Sequence, residues 1–192
     1  MEYKTYLALR DIGARWPAES SKIIQLLLAI ALGRHRGGFA VTNHLTEGID
    51  LDLVRGLDKF TVEVKTTEGI SVTLLDKDIE GLRARASTDA YKPAVAALSL
   101  RYSPASEWTI ASADRLIAKR YALRKLALDS LPALECAARL NFPRTVSDFG
   151  DKVLNPPTGQ PLEFLQNVLA TENAVADQLK APSASKPTAA SP

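Results

Sequence analysis

The sequence is short of the residues that staple or metallate small proteins. It has one cysteine, Cys136, so an internal disulfide is excluded and a reducing compartment is expected. Two histidines, His35 and His44, with that single thiol are too few ligands for a His/Cys zinc site. Any metal must therefore be held mainly by carboxylates, which points to magnesium, with manganese as the alternative. A membrane-crossing run is lacking too. The apolar stretch Ile23 to Leu32 is about half of the ~20 residues that cross a bilayer. Met1 to Arg15 is too polar for a signal peptide. A cytoplasmic protein with no membrane association is expected. Neither sign of charge dominates: Lys and Arg number 24 against 22 Asp and Glu, and the net charge of +2 permits nucleic-acid contact without announcing it. What is present is an ordinary globular composition, 46% hydrophobic and 24% charged over 192 residues, enough to bury a core without staples.

Pattern and punctuation divide the chain. Residues 17–34 are predicted as a long helix, with Pro17 in its first turn, Ile23, Leu26, Leu27 and Ile30 at helical spacing, and Gly33 near its end. Strands are predicted at 39–42, 49–55, 60–65 and 70–75. Asp76 then caps a helix carrying Ile79 and Leu82, and further strands follow at 94–100 and 108–111. Helix, strands, helix, strands is the order of a mixed α/β layer. Beyond residue 112 the pattern turns helical. Ile117, Tyr121 and Leu128 support one helix, Pro132 opens a second with Leu134 and Ala138, and Pro161 opens a third reaching Leu179. The division expected is a core over 1–112, a helical extension over 113–180 and a disordered tail over 181–192, where no large apolar residue occurs.

The chemistry lies in the run from Ile49 to Lys65. In its second strand Phe60, Val62 and Val64 point one way while Thr61, Glu63 and Lys65 point the other. In its first strand Asp50 and Asp52 oppose Ile49, Leu51 and Leu53. Gly56-Leu57 suits a two-residue type II′ turn. That turn pairs Arg55 with Asp58 and so sets Asp50 opposite Glu63, ~5 Å apart at Cβ. Two carboxylates at that distance repel unless a cation lies between them, and a hard divalent ion with oxygen ligands meets that need. A shift of two residues would bring Asp52 opposite Glu63 instead, which makes Asp52 the reserve ligand. Lys65 points into the same cleft, where it can orient a water molecule or stabilise charge on a reacting phosphate. Carboxylates, ion and amine form a kit for hydrolysing a phosphodiester.

Asp50 followed thirteen positions on by Glu63-Val64-Lys65 resembles the motif of the PD-(D/E)xK nucleases, and within them the archaeal Holliday-junction resolvases and restriction-endonuclease-like relatives. The resemblance spans roughly residues 17–112. It implies a restriction-endonuclease-like core, a mixed central sheet flanked by helices, here with a helical C-terminal extension. It implies that Asp50 and Glu63 bind the metal, that the Val64 carbonyl is a main-chain ligand and that Lys65 is the motif lysine. An additional acid on the first helix matches Glu19. Ile49, not proline, precedes Asp50. Glu19 also heads the apolar stripe of its helix, where an acid is either aimed at a site or favoured near the N-terminus.

The activity so implied is metal-dependent DNA endonuclease action, on branched DNA in recombination or repair, by a homodimer. Two other readings stand beside it: a catalytically silent nucleic-acid-binding module, and a protein-interaction scaffold that uses the C-terminal helices. Arg34 and Arg36, after the first helix, and Lys119 and Arg120, on a later one, are candidate phosphate contacts or solvated helix faces. His44 is either a phosphate contact or polar surface. Trp16, Trp108 and Cys136 are expected in the core.

Overall fold

The protein is described here by a computed structural model covering residues 1–34, 38–44, 49–103 and 106–180, with 176–180 as backbone alone. Arg36 and the tail expected over 181–192 lie outside the described residues. The organising element is helix α2 (Ser20–Gly33), in which every residue from Ile23 to Gly33 is buried. A helix that is apolar all round needs cover on every side. The sheet supplies one side. Helices α1 (Tyr3–Arg15), α5 (Pro132–Leu154) and α6 (Pro161–Lys180) supply the rest.

The main sheet has five strands in the order β1 (Ala40–Asn43), β2 (Leu51–Arg55), β3 (Asp58–Thr67), β5 (Lys92–Ser99) and β6 (Thr109–Ser112). All neighbours are antiparallel except β3 and β5, which run parallel. Between those two the chain makes β4 (Ser71–Leu74) and helix α3 (Asp76–Asp89), the crossover a parallel pair requires. Side-chain alternation gives the sheet two faces. Leu51, Leu53, Val62, Ala94, Ala96 and Ile110 join the core around α2. Val95, Ala97 and Ala111 join a second cluster with Leu74, Ile79, Leu82 and Tyr121. This mixed sheet with helices on both faces, and a helical C-terminal part, is the architecture expected from the sequence. No helix of the described residues is long and apolar enough to cross a membrane.

The β2–β3 hairpin follows the expected register. Arg55 pairs with Asp58 and Leu51 with Val62, around Gly56 at φ 61°. Leu57 is not in the left-handed region, which leaves type II′ rather than I′.

Several expectations need correction. Helix α1 was not foreseen: its buried stripe of Thr5, Leu9 and Ile12 is thin, and it forms against α5. Pro17 sits in the turn before α2, not in its first turn. The helix expected through Ile117, Tyr121 and Leu128 is instead strand β7 (Lys119–Ala122), a short helix α4 (Leu123–Leu126) and a 3-10 turn (Ala127–Asp129). Tyr121 Oη bonds the backbone N–H and carbonyl of Ile117, and β7 pairs with β4 over the second cluster. That leaves Ile117 and Leu128 exposed. Leu75, not Asp76, is the N-cap of α3. Cys136 is exposed, because α5 turns Leu134, Ala137 and Ala138 to the core instead.

Candidate active site

Four elements meet at one end of the hairpin around a cavity of about 840 Å³. Asp50 comes from the start of β2, Glu63, Val64 and Lys65 from β3, Asp78 from the first turn of α3, and Lys22 and Gln25 from α2. Asp50 stands one step beyond the Leu51–Val62 pair, hence across from Glu63. Its Oδ2 accepts the Val64 N–H at 2.7 Å. Gln25 fixes the same residue from behind, donating Nε2 to the Asp50 carbonyl at 3.2 Å and to Asn43 Oδ1 at 2.7 Å. Lys65 Nζ lies 2.6 Å from Glu63 Oε1 and 2.7 Å from Asp78 Oδ2. Asp78 Oδ2 also accepts the Leu75 N–H at 2.9 Å, so one oxygen starts helix α3 and anchors the amine.

The electrostatics follow from crowding acids in a half-dry place. Burial, then the charge of Asp50, pushes the Glu63 carboxyl up to about 7, although Lys65 opposes the rise. Burial raises Asp50 as well, against the Val64 N–H and Lys65. Burial works against the Lys65 ammonium, but Asp78 and Glu63 outweigh it and hold the proton on more firmly. Three carboxylates thus share one amine, an excess of negative charge that a cation would relieve.

Asp52, two residues along β2, has a different fate. It is 2% exposed, and its Oδ2 accepts Arg85 Nε and Nη2 at 3.0 and 2.7 Å, with His44 Nε2 at 3.1 Å. The reserve acid of the sequence reading is therefore committed to an arginine. His44 lines the cavity, and its backbone N–H bonds the Asp50 carbonyl at 2.8 Å.

The other sequence candidates are not brought to this cavity. Glu19 is the N-cap of α2, and its buried Oε2 has no hydrogen-bond partner. Arg34 lies at the far end of that helix, ion-paired with Asp148 at 2.7 Å and Glu172 at 3.4 Å. Lys119 and Arg120 are on β7, with Arg120 Nε bonded to Ser71 Oγ at 2.6 Å. Trp108 is buried, and Trp16 packs half-buried with Nε1 on the Val153 carbonyl. Asp78, Gln25, Lys22 and Lys77 line the site without having been singled out. Gln25 was visible as the one polar residue in the run Ile23 to Leu32. Asp78 offered only the signal of an acid at the third position of a helix, which starting that helix already explains.

Among the described residues no group of three or more His, Cys, Asp or Glu is set to hold a metal. Glu63 and Asp78 each give an oxygen to Lys65 and Asp50 gives Oδ2 to the Val64 N–H, which leaves the second oxygens of Asp50 and Glu63 and the Val64 carbonyl on the β2 side of its strand. Two carboxylates with the remainder from backbone, water and substrate phosphate are the habit of magnesium, not of zinc. The residues fit the ion on those terms.

Comparison with known proteins adds a distant likeness. No protein-family profile matches the chain, and no curated protein matches it in sequence. Among solved structures it is similar to Archaeoglobus fulgidus Hjc, a Holliday junction resolvase from an archaeal hyperthermophile, at 17% identity and a TM-score of 0.43. The overlap covers 52% of this chain and 84% of that one. A likeness this loose leaves the chemistry of the site to its own residues.

Proposed function

We propose that the protein is a divalent-metal-dependent DNA endonuclease acting at the Asp50–Glu63–Lys65 cavity. The observation that carries this is the opposition of two half-dry carboxylates beside a lysine whose proton is held firmly. Asp50 and Glu63, with the Val64 carbonyl, would hold magnesium or manganese. When bound, the ion supplies Lewis acidity toward a phosphoryl oxygen and acidifies water. Lys65, kept cationic by Asp78 and Glu63, is suited to donate hydrogen bonds to the reacting phosphate and stabilise its developing charge, not to abstract a proton. Asp78 positions that amine, and Gln25 holds the Asp50 backbone. Glu19 would assist only from a different arrangement of the α2 N-terminus.

Branched DNA is the substrate we favour, with a homodimer acting on two strands in a cytoplasmic setting. The silent DNA-binding module has one observation in its favour: among the described residues no three His, Cys, Asp or Glu are set together to hold a metal. Labelled linear, nicked, flapped and four-way-junction DNAs with magnesium or manganese separate the two. Wild-type protein should cut at least one of them, and Lys65→Ala should be slower by about 100–1,000-fold. If neither protein cuts any substrate, the enzymatic proposal fails.

A further inference from the structure

A groove of about 340 Å³ lies along the same elements that build the candidate site, the start of α2 and the end of β3. Ser20 and Glu68 line it, one and two positions along the chain from Ser21 and Thr66 of the site. Its wall is one side of α1, where Tyr6, Arg10 and Gly13 recur at helical spacing. A Cβ added at Gly13 would meet nothing within 4 Å, so the groove is open there. Tyr6 of the groove packs with Tyr3 and Tyr102, which line a second cavity beyond it. Tyr6 and Tyr102 have ring centroids 5.2 Å apart, Tyr3 and Tyr102 5.3 Å, and Tyr3 and Tyr6 6.3 Å with planes 27° apart. Tyr3 is 57% exposed and Tyr102 44%. Two cations lie along the path. Lys22 is in the site and among the described residues forms no ion pair, and Arg10 is on the groove wall, paired with the exposed Asp11.

We propose that this track binds a single-stranded segment of DNA and leads it to the candidate site; the inference rests on the phosphodiesterase reading of that site. Bases of an unpaired strand stack on surface aromatic rings whatever their sequence, while cations along the path take the phosphates. A duplex keeps its base faces inside its own stack and gains nothing from the rings. The substrate class is therefore DNA that carries an unpaired stretch, such as a flap, an overhang or an opened branch. Tyr3 and Tyr102 are the stacking platform, and Lys22 and Arg10 are the backbone contacts between it and the site. Sharing α2 and the end of β3 with a cavity suited to a phosphodiester is what favours a nucleic acid here over a protein partner.

The test is anisotropy of labelled oligo-dT with the full chain in EDTA, so that no cleavage enters the readout. Wild-type protein should bind oligo-dT, with its tyrosine fluorescence quenched. Tyr3→Ala and Tyr102→Ala should each weaken binding about fivefold or more, and tryptophan at either position should restore it. Blunt duplex affinity should change less than about twofold. Gly13→Gln, whose Cβ has open space around it, narrows the groove; it should also weaken oligo-dT binding and so decides the matter if an alanine variant unfolds. Unchanged oligo-dT affinity in folded Tyr3→Ala and Tyr102→Ala, or equal losses on duplex, overturns the track, as does wild-type protein that ignores oligo-dT. Cleavage without oligo-dT binding removes this inference alone. Oligo-dT binding without cleavage of any substrate removes the nuclease reading alone.

Discussion

The two faces of the main sheet obey different rules. Toward α2 the face is Leu51, Leu53, Val62, Ala94 and Ala96, and any shape-matched apolar side chain would serve there. Toward α3 the same strands carry Asp52, Thr61, Glu63 and Lys65 among Val95 and Ala97. Every charge on that face needs a particular partner. Asp52 has Arg85 and His44, Lys65 has Glu63 and Asp78, and among the described residues Asp50 has a hydrogen bond from the Val64 N–H but no ion pair. The lesson is that one face is held by apolar packing and the other by specific charge pairing, and that the proposed site lies where that pairing leaves an excess of acids.

The comparison can be broken most forcefully on the apolar side. Leu27 is fully buried in α2, and Leu27→Ala should cost about 2–5 kcal/mol, a drop of roughly 5–15 °C in melting temperature. A smaller loss would mean that the helix face is looser than its burial implies. Next come the paired acids of β2. Asp52→Ala strips a buried partner from Arg85 and should cost about 2 kcal/mol, whereas Asp50→Ala should cost under about 1 kcal/mol. Equal losses in denaturant melts would erase the distinction between them.

A third test uses pH. The folded state holds the Glu63 proton up to about 7, while the unfolded chain releases it near the ordinary carboxylate value. The stability that this proton contributes is complete below the unfolded pKa and is lost as pH rises toward about 7. Melting temperature should therefore fall over that window by a few degrees more in wild type than in Glu63→Gln. Parallel curves would show that Glu63 is not held protonated. The smallest effect is expected at Arg34, whose ion pairs are partly exposed and remote from the cavity. Arg34→Ala should cost under about 1 kcal/mol and leave DNA affinity within about twofold.

Much of this was legible in the sequence where periodicity is strict. The alternation from Phe60 to Lys65 and the Gly56-Leu57 turn predicted both the hairpin and its register. The stripe of α2 and the helices begun by Pro132 and Pro161 were readable for the same reason. Partners supplied by distant chain were not readable. Helix α1 is held by α5, β7 exists because β4 needs an edge partner, and Asp52 is claimed by Arg85, thirty-three residues away. The third acid, Asp78, was hidden because its local duty, starting α3, explains it fully without reference to Lys65.

The central claim is that Asp50 and Glu63 together form a divalent-ion site that Asp52 cannot replace. Calorimetric titration of manganese into the full chain at pH 7.5 tests it directly. Wild type and Asp52→Asn should bind one ion, and Asp50→Asn and Glu63→Gln should each lose that binding. Binding that survives Glu63→Gln unchanged, or that disappears with Asp52→Asn alone, would contradict the account.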